Sequence, residues 1–94
     1  MSLNKEQVYL RAIDHYGVAT QLVVAIEEMA ELVKEITKAF RGKANKSNII
    51  EEMADVEIML DQLKLIVEIS DQDVDEIKML KILRLNNRIN EEND

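Results

Sequence analysis

Leu22, Ile26, Met29, Val33, Ile36 and Phe40 recur at alternating intervals of four and three residues, the spacing of one face of an α-helix. After a short basic stretch, RGKANKSN, the same pattern returns in Ile49, Met53, Val56, Leu60, Leu63 and Val67. Two apolar stripes in succession, joined by a few residues, commit the chain to helices that lie side by side. Nothing else in the sequence competes with that outcome. Proline is absent, and glycine occurs only at 17 and 42, so the chain has few places to break.

The breaks define four helices. The first spans roughly 3–16 and stops at HYG; the second spans roughly 18–40; the third runs roughly 49–69. Asn48 is the expected cap of the third helix, because Glu51 follows at capping-box distance. SDQD then interrupts the pattern, and Asp73 with Glu76 signals the start of a fourth helix that reaches about Ile89. The polar tail 90–94 is expected to fray. Short connections make consecutive helices antiparallel neighbours, so the expected fold class is all-α, an antiparallel bundle of about four helices in one domain, 1–94. A chain of 94 residues buries only about 60–65% of its unfolded surface, so assembly with further copies would complete its core. With only Tyr9, Tyr16 and Phe40 aromatic, that core is aliphatic, and Phe40 is expected in it as the last residue of its stripe.

Several functions are excluded at this level. There is no cysteine, hence no disulfide, thiolate metal site or cysteine nucleophile. A net charge of −7 speaks against general binding to a nucleic acid polymer, which depends on neutralising phosphates. No apolar run is long enough to span a bilayer, and MSLNKEQVYL lacks the apolar centre of a signal peptide. The protein therefore reads as cytoplasmic, with no membrane partner. No G-x-x-x-x-G-K-[ST] loop is present, which removes the P-loop NTPases.

The acids are ordered. EEMAEL at 27–32 is followed twenty-four residues later by EEMADV at 51–56. Within each, an i, i+3 pair falls on one flank of its helix: Glu28 with Glu31, and Glu52 with Asp55. If the two stripes pack together, both flanks converge on one cleft. Four carboxylates in a cleft repel one another unless a cation sits among them. Mg²⁺, which is hard and takes oxygen ligands, is the natural counter-charge. A di-iron centre is not supported, because it needs Glu-x-x-His on two helices and His15 is the only histidine. Asp71-Gln72-Asp73-Val74-Asp75 begins like a calcium loop but has Glu76 and Ile82 where Gly and Glu are required.

The bases are ordered too. Lys81, Arg84 and Arg88 share one side of the fourth helix, and Lys38, Arg41, Lys43 and Lys46 surround the turn between the second and third. Such cations suit phosphate oxygens. An acidic metal cleft with cations nearby is a consistent set for polyphosphate chemistry.

Taken together, Glu28-x-x-Glu31, twenty residues, then Glu52-x-x-Asp55 resembles the signature of MazG-like nucleoside triphosphate pyrophosphohydrolases. HYGVATQLVVAIEEMAELVKEITK and EEMADVEIMLDQL are similar to the flanks of the two motifs, and the resemblance covers roughly residues 15–89. It implies an all-α NTP pyrophosphatase fold and Mg²⁺-dependent hydrolysis of an NTP or dNTP to the monophosphate and pyrophosphate. It further implies that Glu28, Glu31, Glu52 and Asp55 are the metal ligands and catalytic carboxylates. Lys81 and Arg88 match phosphate-contacting positions of the last helix, where Leu85 stands in the slot of a family Asn and Arg84 lies beside it. Gln21 matches a family Gln. The resemblance also implies a homodimer or a dimer of dimers. The alternative, a helical module that binds nucleotides or a protein without hydrolysis, rests on Leu85 and on the missing tryptophan.

Overall fold

The structure, a computed structural model, describes residues 3–93. It is all-helical over that range: α1 (Lys5–Tyr16), α2 (Val18–Phe40), α3 (Lys46–Val67) and α4 (Asp71–Glu92). Local chemistry explains most of the boundaries. Asn4 caps α1, its side-chain oxygen accepting from the Gln7 N–H at 3.1 Å. Gly17 ends α1 and starts α2 at φ +94°, a backbone state that few other residues adopt cheaply. One residue thus turns the chain between two helices.

The cap of α3 is Asn45, not Asn48. Asn45 is extended, and its side chain accepts the Asn48 N–H at 3.1 Å, so the helix begins three residues earlier than the capping-box pattern suggested. Glu51 consequently sits inside the helix. Glu68, in the left-handed region at φ 58°, closes α3. At α4 the box is built by Ser70 and Asp73: the Ser70 hydroxyl accepts from the Asp73 N–H, and the Asp73 carboxylate accepts from the Ser70 N–H at 2.9 Å. Asp73 is a box member as read, but in its third position, with Ser70 rather than itself as the cap. Of the tail 90–94, the part through Glu92 is helical, and Asp94 lies outside the described residues.

Helices α2 and α3 pack along each other, and α1 rests on both, while α4 leaves the group at Ser70 without comparable packing. The Lys64–Asp71 ion pair, 3.0 Å long, ties its first turn to the end of α3. The radius of gyration is 16.8 Å, against about 12 Å for a compact chain of this length.

The face that α2 presents to α3 is the main correction to the sequence reading. Gln21, Ala25 and Glu35 are buried and Glu28 and Leu32 partly so, a heptad seam one residue out of step with the large apolar stripe. Leu22, Ile26, Met29, Val33 and Ile36 therefore lie outside the seam, exposed. Phe40, expected in the core, is 92% exposed, and Met53 is half exposed. Among the described residues only Ala25 and Met59 are buried apolar side chains. The accessible surface is 7855 Å², whereas a folded monomer of this size exposes roughly 5,500 Å².

Candidate metal centre

Three pairs of polar residues line the α2–α3 seam at seven-residue intervals. Gln21 meets Gln62, its Nε2 donating to the partner's Oε1 at 2.7 Å with both side chains buried. Seven residues on, Glu28 stands beside Asp55. Seven further, Glu35 stands beside Asn48. A regular heptad register on antiparallel helices brings these positions face to face.

The middle layer carries the acids. Glu28, Glu52 and Asp55 each offer a carboxylate oxygen such that all three lie within 4.8 Å of one another. Two come from α3 and one from α2, so the helix pairing itself makes the cluster. Glu28 and Glu52 are partly buried and Asp55 is exposed, which leaves the cluster open on one side. Burial, then the neighbouring Asp55, Glu52 and Glu31 charges, raises the Glu28 carboxyl above its usual range. Burial and the Asp55, Glu31 and Glu35 charges raise Glu52 likewise. Glu28, Glu52 and Asp55 are the residues that could hold a divalent cation, whose charge would remove the mutual repulsion.

The structure distributes the other sequence-predicted residues as follows. Glu31 is exposed and outside the three-oxygen set, though its charge reaches Glu28 and Glu52. Gln21 lies in the seam but spends its amide on Gln62, two turns from Glu28. Lys38 is held by Glu35, with Nζ 3.1 Å from Oε2. Lys81, Arg84 and Arg88 are exposed on α4 and form no ion pair among the described residues, and Leu85 beside them is half exposed. Because α4 does not pack along α2, the structure does not assemble these bases with the carboxylates. His15 is exposed at the end of α1, edge-on to Tyr16 at 4.7 Å between ring centroids.

Sequence reasoning missed Glu35, Asn48 and Gln62. Their signal was present in the heptad spacing 21–28–35 and 48–55–62, which puts polar residues where a helix pair normally wants apolar ones. No helix among the described residues is long and apolar enough to cross a membrane. No protein-family model, curated protein or solved structure matches this chain.

Proposed function

We propose that this chain is a Mg²⁺-dependent nucleoside triphosphate pyrophosphohydrolase of the MazG-like, all-α NTP pyrophosphatase kind. The observation that carries the reading is the convergence of Glu28, Glu52 and Asp55, drawn from two near-identical motifs on facing helices, within 4.8 Å. A scaffold has no need for two acidic motifs in matching register. Glu28, Glu52 and Asp55 would hold the ion, with Glu31 at the rim. Bound there, Mg²⁺ supplies charge neutralisation for a polyphosphate and acidifies water. Glu31, exposed and outside the three-oxygen set, is the carboxylate free to accept a proton from the attacking water. Gln21 and Gln62 fix the register that keeps the carboxylates opposed. Lys38, Lys81, Arg84 and Arg88 would meet phosphate oxygens.

The bases of α4 reach a cradle most simply when a second chain provides one. The exposed surface exceeds that of a compact monomer by about 2,300 Å², comparable to what a permanent interface hides. A homodimer or homotetramer with α4 laid against a neighbouring chain accounts for both facts, and its cationic row complements the acidic flank of α2 and α3. The test is incubation with a panel of NTPs and dNTPs and Mg²⁺, read as monophosphate and pyrophosphate. Turnover that is lost in Glu52→Gln and on chelation supports the reading; full activity of Glu52→Gln overturns it.

A second reading has one observation in its favour. Leu85 is half exposed on α4 in the slot of the family Asn, as suits a helix that binds a protein or a nucleotide without hydrolysis. Mg²⁺-dependent nucleotide binding without turnover, measured by isothermal titration, would select it.

A further inference from the structure

Helices α3 and α4 stand as the two arms of a V. Only Glu68, Ile69 and Ser70 join them, and Glu68 turns the chain in the left-handed region. A cleft of about 550 Å³ opens between the arms, with Glu57, Leu60 and Asp61 on the α3 wall and Val74 and Lys78 on the α4 wall. Further out, a hollow of about 450 Å³ follows the same face of α4 through Ile77 to Lys81. Leu60, Val74 and Ile77 are exposed there, so apolar surface lies open on both arms.

Continued along the arms, the two walls complement each other. Lys64, Leu60, Glu57, Met53, Ile50 and Lys46 alternate at intervals of four and three residues and form one row of α3. Val74, Lys78, Lys81, Leu85, Arg88 and Glu92 form the matching row of α4. Counted outward from Ile69 in equal steps, Glu57 falls opposite Lys81, Met53 opposite Leu85, and Lys46 opposite Glu92. Two pairs of opposite charge and one apolar pair share a register, and no like charges face each other. In the open V, Met53 and Leu85 are each half exposed, and neither Glu57, Lys81, Lys46 nor Glu92 has an ion-pair partner among the described residues. The α3 row lies on the side away from Asp55 and Gln62, which face α2.

We propose that α4 is a strap that closes on the outer face of its own α3 by turning at Glu68–Ser70, and that the closed form is a resting state. The structure shows the open form, with Lys64 at the vertex between Asp61 at 3.7 Å and Asp71 at 3.0 Å. Closure breaks no extensive packing, because α4 has none with α1 or α2, and a change in a few backbone angles of the three joining residues suffices. It covers Met53 and Leu85 together and gives Lys81 the Glu57 carboxylate. Arg88 lies in the same row and Arg84 on its flank, so closure holds all three bases on the side of α3 opposite the acidic cluster. The resting role rests on the reading of these bases as phosphate contacts for a neighbouring chain; closure itself does not.

The chain has no cysteine, so a pair introduced into it reports on closure alone. Met53→Cys with Leu85→Cys is oxidised in dilute solution, and intrachain and interchain disulfides are separated by non-reducing electrophoresis. Closure predicts an intrachain bond that forms on the order of tenfold faster than in the off-register pair Met53→Cys with Ile82→Cys. Adding Glu57→Lys, which sets like charges opposite each other, should slow that bond several-fold. Equal rates for the two pairs overturn the proposal, and so do interchain bonds alone, which would show a second copy on this face. Should the first pair fail to fold, Lys46→Cys with Glu92→Cys at the far end of the rows is judged by the same outcomes. In a chain that turns over a nucleotide, the intrachain bond should abolish turnover and reduction should restore it; turnover unaffected by the bond overturns the resting role. A chain without turnover contradicts the pyrophosphohydrolase reading, while the disulfide rates still decide closure.

Discussion

Gln21 and Gln62 share a buried hydrogen bond of 2.7 Å across the α2–α3 seam, one heptad from the pair Glu28 and Asp55. The bond locks the register of two helices whose slippage by one residue would separate the carboxylates. Gln62→Leu leaves the Gln21 amide buried and unpaired, and is expected to cost about 1–3 kcal/mol in urea unfolding. Gln21→Leu combined with Gln62→Leu should recover most of that loss, because no polar group then remains unpaired. A double variant as unstable as the single one would show that packing, not the hydrogen bond, holds the seam.

The acidic cluster predicts an unusual pH response in the metal-free protein. Glu28 and Glu52 have carboxyls raised above the usual 4.5, so their protonation favours the folded state. Their stabilising share is complete below 4.5 and is lost as pH rises through the raised values. Glu35 and Asp73 behave oppositely: the Lys38 pair lowers the first and the Ser70 backbone bond lowers the second. Their share is present above the usual 4.5 and 3.8 and is lost as pH falls through the depressed values. Thermal midpoints should therefore climb on mild acidification from pH 7 and fall in stronger acid. Added Mg²⁺ should flatten the climb, since the ion takes the place of the protons. A midpoint that declines steadily from pH 7, with or without Mg²⁺, would argue against crowded carboxylates.

The capping box gives a local prediction. Ser70→Ala removes the hydroxyl that accepts the Asp73 N–H, worth about 1 kcal/mol. Because α4 packs so little on the rest, the effect should appear as faster amide exchange in its first turn rather than as a shift of the whole unfolding transition.

Helix α4 also predicts assembly. Leu80 is 52% exposed, and a surface leucine of a true monomer tolerates change within about 0.5 kcal/mol. In a dimer or tetramer that buries α4, Leu80→Asp should shift sedimentation toward the single chain and lower the thermal midpoint. A native protein that sediments as one chain at every concentration would contradict this.

The all-α class and the limits of α2 were legible because amphipathic period and helix breakers act locally. The seam was not. The periodicity of α2 supports two adjacent stripes, and size alone favours Leu22, Ile26 and Met29 as the inner one. The hydrogen bond of Gln21 and Gln62 and the small Ala25 instead draw the helices together one residue round, leaving the large stripe exposed. The shift helps explain why Phe40 is exposed and why Glu28, not only its neighbours, enters the cluster. Asn48 was misread as a cap because Asn45, three residues earlier, offers the same side chain to the same kind of N–H. Glu31 and the α4 bases could not be placed from sequence, since their positions depend on surfaces that periodicity does not order.

The most direct test of the metal-cradle reading is phosphorus NMR of the purified protein with Mg²⁺ and each of the common NTPs and dNTPs. At least one nucleotide should yield its monophosphate and pyrophosphate, at a rate reduced about a hundredfold or more in Glu52→Gln. Release of orthophosphate and a diphosphate, or no turnover of any nucleotide by the folded chain, would contradict it.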